Sequence, residues 1–173
     1  TPINVPTVIL SSSAWSYVEA TFYSFLYLFF GWFFFNIEYK GSFILAVSFL
    51  LLTTLSLACL GIISASFVMV FKRGDPLAVF LGVGTAIFSG VFFPKEMLEE
   101  ELGNTGGFLA AINPSTHGLD GIRSILIQGK TFSEVQPQLF VLLGFLAVLL
   151  PLSLWIFSKA VKRAKREGSL IQY

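Results

Sequence analysis

Residues 42–70 read SFILAVSFLLLTTLSLACLGIISASFVMV, a long apolar run without a charged side chain. An α-helix rises about 1.5 Å per residue, and about 20 apolar residues cross the hydrocarbon core of a bilayer. Because a backbone in lipid must satisfy its polar groups within the segment, this run predicts a transmembrane helix. It is longer than a perpendicular crossing requires, so we expect it to be tilted.

Three other apolar runs lie on either side of this one, at residues 15–35, 77–93 and 139–157. Charged residues make up only 12% of the chain, whereas soluble domains carry about twice that share. The sequence therefore predicts an all-α fold, an integral membrane bundle of four transmembrane helices in a single domain over residues 1–173. Pro151 falls inside the last run and is expected to kink it.

Residues at the ends of the runs indicate where the helices stop and start. Gly74 can end the second helix in a left-handed turn, and Asp75-Pro76 can begin the third, which predicts a tight hairpin at 72–76. Ser133 followed by Gln136 has the spacing of a capping box at the start of the fourth helix.

The distribution of basic residues predicts the orientation. If the first run starts on the cytoplasmic side, the inner segments hold most of the 11 Lys and Arg residues, including the basic tail at 158–173. By the positive-inside rule, both ends of this chain are then cytoplasmic. The tail from Lys159 to Arg166 is expected to anchor and orient the chain, with a patch for lipid headgroups as the alternative. The basic residues divide into an inner set, Lys72, Arg73, Lys159, Lys162, Arg163, Lys165 and Arg166, and an outer set, Lys40, Lys95, Arg123 and Lys130.

The outer loop, residues 94–136, is too long for a simple turn. It predicts a short acidic helix at 95–102, closed by the stretch 103–107. A second helix is predicted at 115–128, with Gly129 as its stop. Apolar side chains of the second helix share one face, so these two amphipathic pieces are expected to lie at the membrane surface or to dip back into the bundle. The side chains of that face are Leu119, Ile122 and Leu126.

The order of motifs around this loop resembles one transporter family. The motifs are Phe88-Ser89-Gly90-Val91-Phe92-Phe93-Pro94 at the end of the third run, Asn113-Pro114 followed by Thr116-His117, and then Arg123. Together they are similar to the membrane subunit of ABC-2-type exporters, the permease family of many drug, lipid and polysaccharide exporters. The resemblance covers nearly the whole chain.

The resemblance implies a larger assembly. A full subunit of this family has six spans, so two spans and a cytoplasmic coupling helix are expected before Thr1, and this chain is the C-terminal part. Two such permease subunits form a dimer in the cytoplasmic membrane and bind two ATP-binding cassette ATPase subunits, which drive substrate outward. The chain contains no G-x-x-x-x-G-K-[ST] sequence, so ATP hydrolysis is expected on a separate subunit and no cofactor is expected here.

Two sets of candidate functional residues follow. The residues that match the family motif in the outer loop are expected to have a structural or gating role: Pro94, Asn113, Pro114, His117 and Arg123. Glu19, the acid nearest a membrane interior, is a candidate for the substrate path because intramembrane carboxylates are often functional. It also lies close enough to the predicted cytoplasmic edge to reach water or a cation.

Small and aromatic residues form two further patterns. Gly82, Ala86 and Gly90 recur every four residues in the third run, and Gly61 has a similar place in the second. Such stripes let helices approach closely, so helix packing is the favoured interpretation, and a hinge or a dimer contact is the alternative. The aromatic segment 29–35 predicts an interfacial belt, with stacking on exported sugars as the alternative.

Several classes of function are excluded by composition. His117 and Cys59 are each the only residue of their type, which leaves no set for a metal centre, a disulfide within the chain or a nucleophile–base pair. His117 is instead expected to orient the outer loop together with Asp120 and Arg123, at i, i+3 and i+6. A net charge of +1 gives no reason to expect nucleic acid as a partner.

Two other interpretations stay open at this stage. A non-transporting four-helix scaffold or assembly factor agrees with the four runs but leaves the polar outer loop unexplained. A membrane-embedded enzyme would need clustered polar residues within the spans, and only Glu19 approaches that description. Purification with or without a bound ATPase separates an exporter subunit from a scaffold.

Overall fold

A computed structural model describes residues 5–71, 76–92, 97 and 103–166. These residues contain the helices α1 (Val5–Phe35), α2 (Phe43–Phe71), α3 (Pro76–Phe88), α4 (Asn104–Ala111), α5 (Pro114–Leu126) and α6 (Phe132–Arg166). No β-strand occurs in the described part of the chain. The prediction of an all-helical membrane bundle is confirmed.

Three of the helices are long and apolar enough to cross a membrane, at Val18–Phe35 within α1, Phe43–Phe71 and Phe132–Ala164. Helix α3 is apolar but has only 13 residues, which is about 20 Å of helix and less than the thickness of a hydrocarbon core. The predicted third span, 77–93, therefore extends beyond the carboxyl end of the observed helix. The helix stops at Phe88 because the chain turns there, with Gly90 at a φ of 79°.

The centre of the fold is a pair of helices, α2 and α6, with α5 packed against both. Their shared core is closed to solvent, and its members come from all three helices and from no exposed loop. Of the two locations predicted for the outer-loop helices, α5 therefore takes the one inside the bundle. The buried cluster consists of Ala46, Phe49, Ile125, Leu126, Val135 and Leu142.

Glycines explain how α5 can approach α2 so closely. A methyl group at Gly118 would overlap the side chain of Thr53, and one at Gly121 would overlap the ring of Phe49. The buried face of α5 is therefore made largely of small residues, whereas the expected apolar face is only partly inside. Of its three members, Leu126 is buried. Leu119 and Ile122 are only half-buried, because the glycine face of α5 is the one that lies against α2.

Small polar residues form the contact between α2 and α6. Ser56, Ser66 and Ser153 are each at most 1% exposed. Each of these hydroxyls donates to a carbonyl of its own helix, at 2.9, 2.7 and 2.9 Å respectively, and so needs no water. Cys59 is buried in the same contact beside Ser153. Small side chains let two membrane helices pack closely, which accounts for this pairing.

Helix α1 lies at the edge of the described bundle. No side chain from residue 18 to residue 35 is buried. Its links to the rest include the Tyr39 hydroxyl, which donates to the Leu28 carbonyl at 2.8 Å, and the rings of Phe25 and Phe43, 5.7 Å apart. The aromatic segment 29–35 stacks largely on itself and stays exposed. That these aromatic side chains form a belt at the membrane interface stays a prediction.

Two helix starts differ from the predicted ones. Helix α6 begins at Phe132, so its capping box is Thr131 with Glu134, whose carboxylate accepts from the Thr131 backbone N–H and hydroxyl at 2.8 Å each. The Ser133–Gln136 box was wrong by two residues. Helix α4 runs through the stretch 103–107 that was expected to break the chain, starting after Gly103, whose φ is 58°.

Three predictions lie wholly or largely outside the described residues. The hairpin at 72–76 is described only at Pro76, the first residue of α3. The acidic helix at 95–102 is described only at Met97. Thr1, before which two further spans are expected, is not described.

The glycine contact gives a stability test. Gly121→Ala forces a methyl group against the buried Phe49 ring, and overpacking of this kind costs about 1–3 kcal/mol. Gly144→Ala on the exposed side of α6 meets no atom and should be neutral or stabilising by up to about 1 kcal/mol. Unfolding midpoints of both variants in one detergent measure the difference. A Gly121→Ala protein as stable as Gly144→Ala would contradict the packing of α5 on α2.

Candidate functional site

The carboxyl end of α3 is half-buried, and its last carbonyls need partners. The last four carbonyl groups of an α-helix accept no hydrogen bond from an N–H group of the same helix. Two are used locally: the Ser89 backbone N–H donates to Thr85 at 2.9 Å, and the Ser89 hydroxyl donates to Ala86 at 3.1 Å. Ser89 itself is 1% exposed, so water has little access to this end.

Side chains just before α5 and within it complete the hydrogen bonding at the end of α3 and in the turn that follows. The Asn113 amide donates to the Thr85 carbonyl at 3.1 Å, and the Thr116 hydroxyl donates to the Phe88 carbonyl at 3.0 Å. Both terminal nitrogens of Arg123 donate to the Gly90 carbonyl, at 3.1 and 3.2 Å. Asn113, Thr116 and Arg123 are called the α3-end cap below.

The local sequence places these three donors together. Asn113 is extended, with φ −96° and ψ 116°, and its amide oxygen accepts from the Ser115 backbone N–H at 3.1 Å, so it caps α5. Pro114 follows at the first helical position, which suits its fixed φ. Residues seven positions apart lie on the same side of a helix, so Thr116 and Arg123 share one face of α5, two turns apart, and Asn113 precedes Thr116 by about one turn.

The other end of α5 is held just as firmly. The Lys40 backbone N–H donates to the Leu126 carbonyl at 2.9 Å, which joins the α1–α2 connection to the end of α5. The chain then turns at Gly129, whose φ is 70° and whose N–H donates to Ile125 at 3.1 Å. Gly41 lies so close to the Ile125 carbonyl that a side chain would overlap it. Helix α5 is thus fixed between α3 and the start of α2.

His117 contributes to the same arrangement without being part of the cap. Its Nε2 is 2.9 Å from the Ala111 carbonyl at the end of α4, and its ring lies 5.9 Å from that of Phe145 on α6. Arg123 bonds to the Gly90 carbonyl instead, so His117 and Arg123, two of the three residues predicted to act together, contact different carbonyls. Within the described residues no group of His, Cys, Asp and Glu is close enough to hold a metal ion.

A groove of about 490 Å³ lies between α2, α3 and α5, beside the cap. Its surface is mostly apolar, with hydroxyl groups from Thr53, Ser89 and Ser115 among its lining, and we call it the hydroxyl groove. The Ser115 hydroxyl is buried and has no hydrogen-bond partner in the structure. A methyl group added at Gly61 or Gly82 would meet no atom, so both glycines face open space in this chain.

The remaining predicted residues are distributed over several places. Gly61, Gly82 and Ala86 line the hydroxyl groove, and their predicted role in helix packing stays a prediction. Gly90 leaves the stripe altogether, because it is the left-handed turn residue whose carbonyl receives Arg123. Glu19 is exposed on α1 and lines neither this groove nor the cap. Pro94 lies outside the described residues.

Sequence reasoning missed the contributions of Thr116 and Ser115. Thr116 is fully buried and makes the central hydrogen bond of the cap, and Ser115 supplies the unpaired hydroxyl of the groove. Only the spacing of Thr116 from Asn113, one helical turn, could have indicated a shared partner. No pattern in the sequence shows that α5 lies against the end of α3.

The cap can be tested at Thr116. Thr116→Val keeps the volume but removes the donor, and an unpaired buried carbonyl costs about 1–3 kcal/mol. Thr116→Ser keeps the donor and loses one methyl group, worth about 0.8 kcal/mol. Unfolding midpoints of the two purified variants give the comparison. A valine variant as stable as the wild type, or more stable than the serine variant, would mean that this hydrogen bond contributes nothing.

Comparison with known proteins agrees with this architecture. The sequence profile of the family described as ABC-2 type transporter matches residues 1–127, which takes in α1 to α5 and the whole α3-end cap. No curated protein and no solved structure gives a significant match. Together with three helices long enough to span a bilayer, the profile identifies a multi-pass integral membrane protein. The chain belongs to the ABC-2 type transporter family.

Proposed function

We propose that this chain is the transmembrane subunit of an ATP-driven ABC exporter. Its substrate would be a drug, a lipid or a polysaccharide-type molecule that moves outward across the cytoplasmic membrane. The observation that carries the proposal is the family match, because it extends to residue 127 and so includes the polar outer segment as well as the apolar helices. An apolar helix pair alone would fit a scaffold equally well.

Membership of the family implies association with an ABC ATPase subunit. The chain itself lacks the G-x-x-x-x-G-K-[ST] loop, in which backbone N–H groups hold the phosphates of a nucleotide. In the proposed assembly, hydrolysis occurs on that separate subunit, and this chain responds by changing shape. Two copies of the permease and two ATPase subunits would form the transporter, with both ends of this chain in the cytoplasm.

The α3-end cap suggests how movement passes through the subunit. Thr85, Phe88 and Gly90 lie 28 to 33 residues before their partners in the cap, so hydrogen bonds join α3 to a helix far along the chain. A shift of α3 would therefore carry α5 with it. Helix α5 also contacts α2 and α6, so its displacement would change the packing at the outer end of the bundle.

The hydroxyl groove would form one wall of the substrate path. It has a volume within the range of small-molecule sites, about 300–1,000 Å³, and combines apolar surface with hydroxyl groups. Amphipathic substrates match that chemistry, since their apolar parts contact the helices and their polar groups can bond to Ser115. Because α3 forms one side of the groove, movement of the capped helix would change its width.

Gentle purification of the intact natural protein tests the proposal. A tagged copy, extracted in mild detergent, should bring down a second polypeptide that carries a G-x-x-x-x-G-K-[ST] loop and hydrolyses ATP. Inside-out membrane vesicles containing the complex should accumulate a fluorescent amphiphile or a labelled lipid-linked sugar only when ATP is present. The control is the same complex with the lysine of that loop changed to alanine.

The result that contradicts the proposal is equally clear. A monodisperse intact protein with no nucleotide-binding partner would favour the scaffold or assembly factor. In vesicles of the opposite orientation, right-side-out, outward transport removes substrate from the interior. ATP-dependent loss of substrate from these vesicles would therefore leave the exporter assignment in place. Accumulation in those right-side-out vesicles would instead identify an importer.

A further inference from the structure

A second groove, of about 740 Å³, lies between the end of α2 and the last third of α6, and we call it the basic groove. Both helices reach the end of their apolar runs here, because α2 ends at Phe71 and the first cation of α6 after its apolar run is Lys159. We therefore expect the groove to cross the boundary between the hydrocarbon and headgroup regions of the bilayer. Its position on the bundle is remote from the α3-end cap, with which it shares no lining residue.

The part of the groove toward the membrane interior is apolar and open. Helix α2 contributes Phe67 and Phe71, whose rings stack at a centroid distance of 5.9 Å. Helix α6 contributes Trp155 from the opposite side. Phe71 is 64% exposed and Trp155 57% exposed, so these rings form the walls of an unfilled space. The buried Ala160 forms part of the floor between them.

The other end of the groove is positively charged. Four cations line it from α6, with Lys159 and Lys162 about one turn apart and Arg166 one turn beyond Lys162. They are Lys159, Lys162, Arg163 and Arg166. The Lys159 ammonium is 3.6 Å from the centre of the Trp155 ring, which directs this cation along the wall of the groove. No acidic residue lines the groove in the described part of the chain. Glu134, the acid of α6 among the described residues, is at the opposite end of the helix.

This combination fits one class of molecule. A glycerophospholipid with an anionic headgroup carries apolar chains at one end and a phosphate at the other, in the same order as the groove. Basic pockets between transmembrane helices are known to bind such headgroups, and each Lys or Arg near the surface adds attraction. A zwitterionic lipid would gain the apolar contacts but little from the cations.

We propose that the basic groove binds one anionic glycerophospholipid, with its phosphate at Lys162 and Arg166 and its chains against Phe67, Phe71 and Trp155. The lipid fills the space between the ends of α2 and α6 and so stabilises their pairing at the membrane surface. The site does not depend on the direction of transport or on the identity of the substrate.

The test uses the intact protein released from nanodiscs that contain equal amounts of phosphatidylglycerol and phosphatidylcholine. Native mass spectrometry should find one phosphatidylglycerol retained per subunit in preference to phosphatidylcholine. Lys162→Gln with Arg166→Gln should weaken retention, by about fivefold for each cation removed. The matched control is Lys40→Gln with Lys130→Gln, which removes the same charge from the α1–α2 connection and the outer loop and should leave retention unchanged.

A second measurement covers the case in which the double variant does not fold. With Trp15, Trp32 and any tryptophan outside residues 1–173 changed to Phe, Trp155 is the fluorescent reporter. Brominated phosphatidylglycerol should quench its fluorescence more strongly than brominated phosphatidylcholine, and soluble glycerol phosphate should not reverse the quenching. Equal quenching by the two lipids, displacement by glycerol phosphate, or full retention by the double variant would each overturn the proposal. Disulfide formation between two copies carrying Trp155→Cys would do so as well, because a second copy would then occupy the groove.

Discussion

The structure depends on hydrogen bonds from α5 to the carboxyl end of α3. The last carbonyl groups of a helix need donors from outside the helix, and leaving a buried carbonyl unpaired costs about 1–3 kcal/mol. Helix α3 ends at Phe88, and the donors of Asn113, Thr116 and Arg123 take the place of water. The same helix α5 is buried against α2 and α6, so the hydrogen bonds connect the end of α3 to the core of the bundle.

Glycine makes that position accessible. Helix α5 would be too wide for the space beside α2 if Gly118 and Gly121 carried side chains, since Thr53 and Phe49 already occupy it. The apolar side chains Ile125 and Leu126 of α5 then pack with Val135 and Leu142 of α6 and close the core. The hydrogen bonds of the α3-end cap and the close packing on α2 together hold a polar segment of the outer loop inside the bundle as a helix. They also place the hydroxyl groove against the end of α3.

The apolar runs and the family motif could be predicted from the sequence, and the arrangement of the site could not. Hydropathy located α2 and the apolar part of α6 because a run such as 42–70 has one physical explanation, a helix in lipid. The predicted third span extended past the end of α3 because Val91 and Phe92 are as apolar as the helix before them. Gly90 did not indicate the end, because a glycine fits both a continuing helix and a left-handed turn. The role of Thr116 depends on a carbonyl 28 residues earlier, and no local pattern specifies such a partner.

The most direct test of this account is the accessibility of α5 in the folded protein. Cysteine is introduced singly at Ser124, which is 8% exposed, or at Ile127, which is 58% exposed and lies about one turn further along, in a background with Cys59→Ala. Both proteins are treated with a polar maleimide in detergent micelles, so that the side of the membrane has no influence. The account predicts rapid labelling at position 127 and protection at position 124 until the protein is denatured. Equal labelling rates at the two positions would contradict it and would place α5 on the surface.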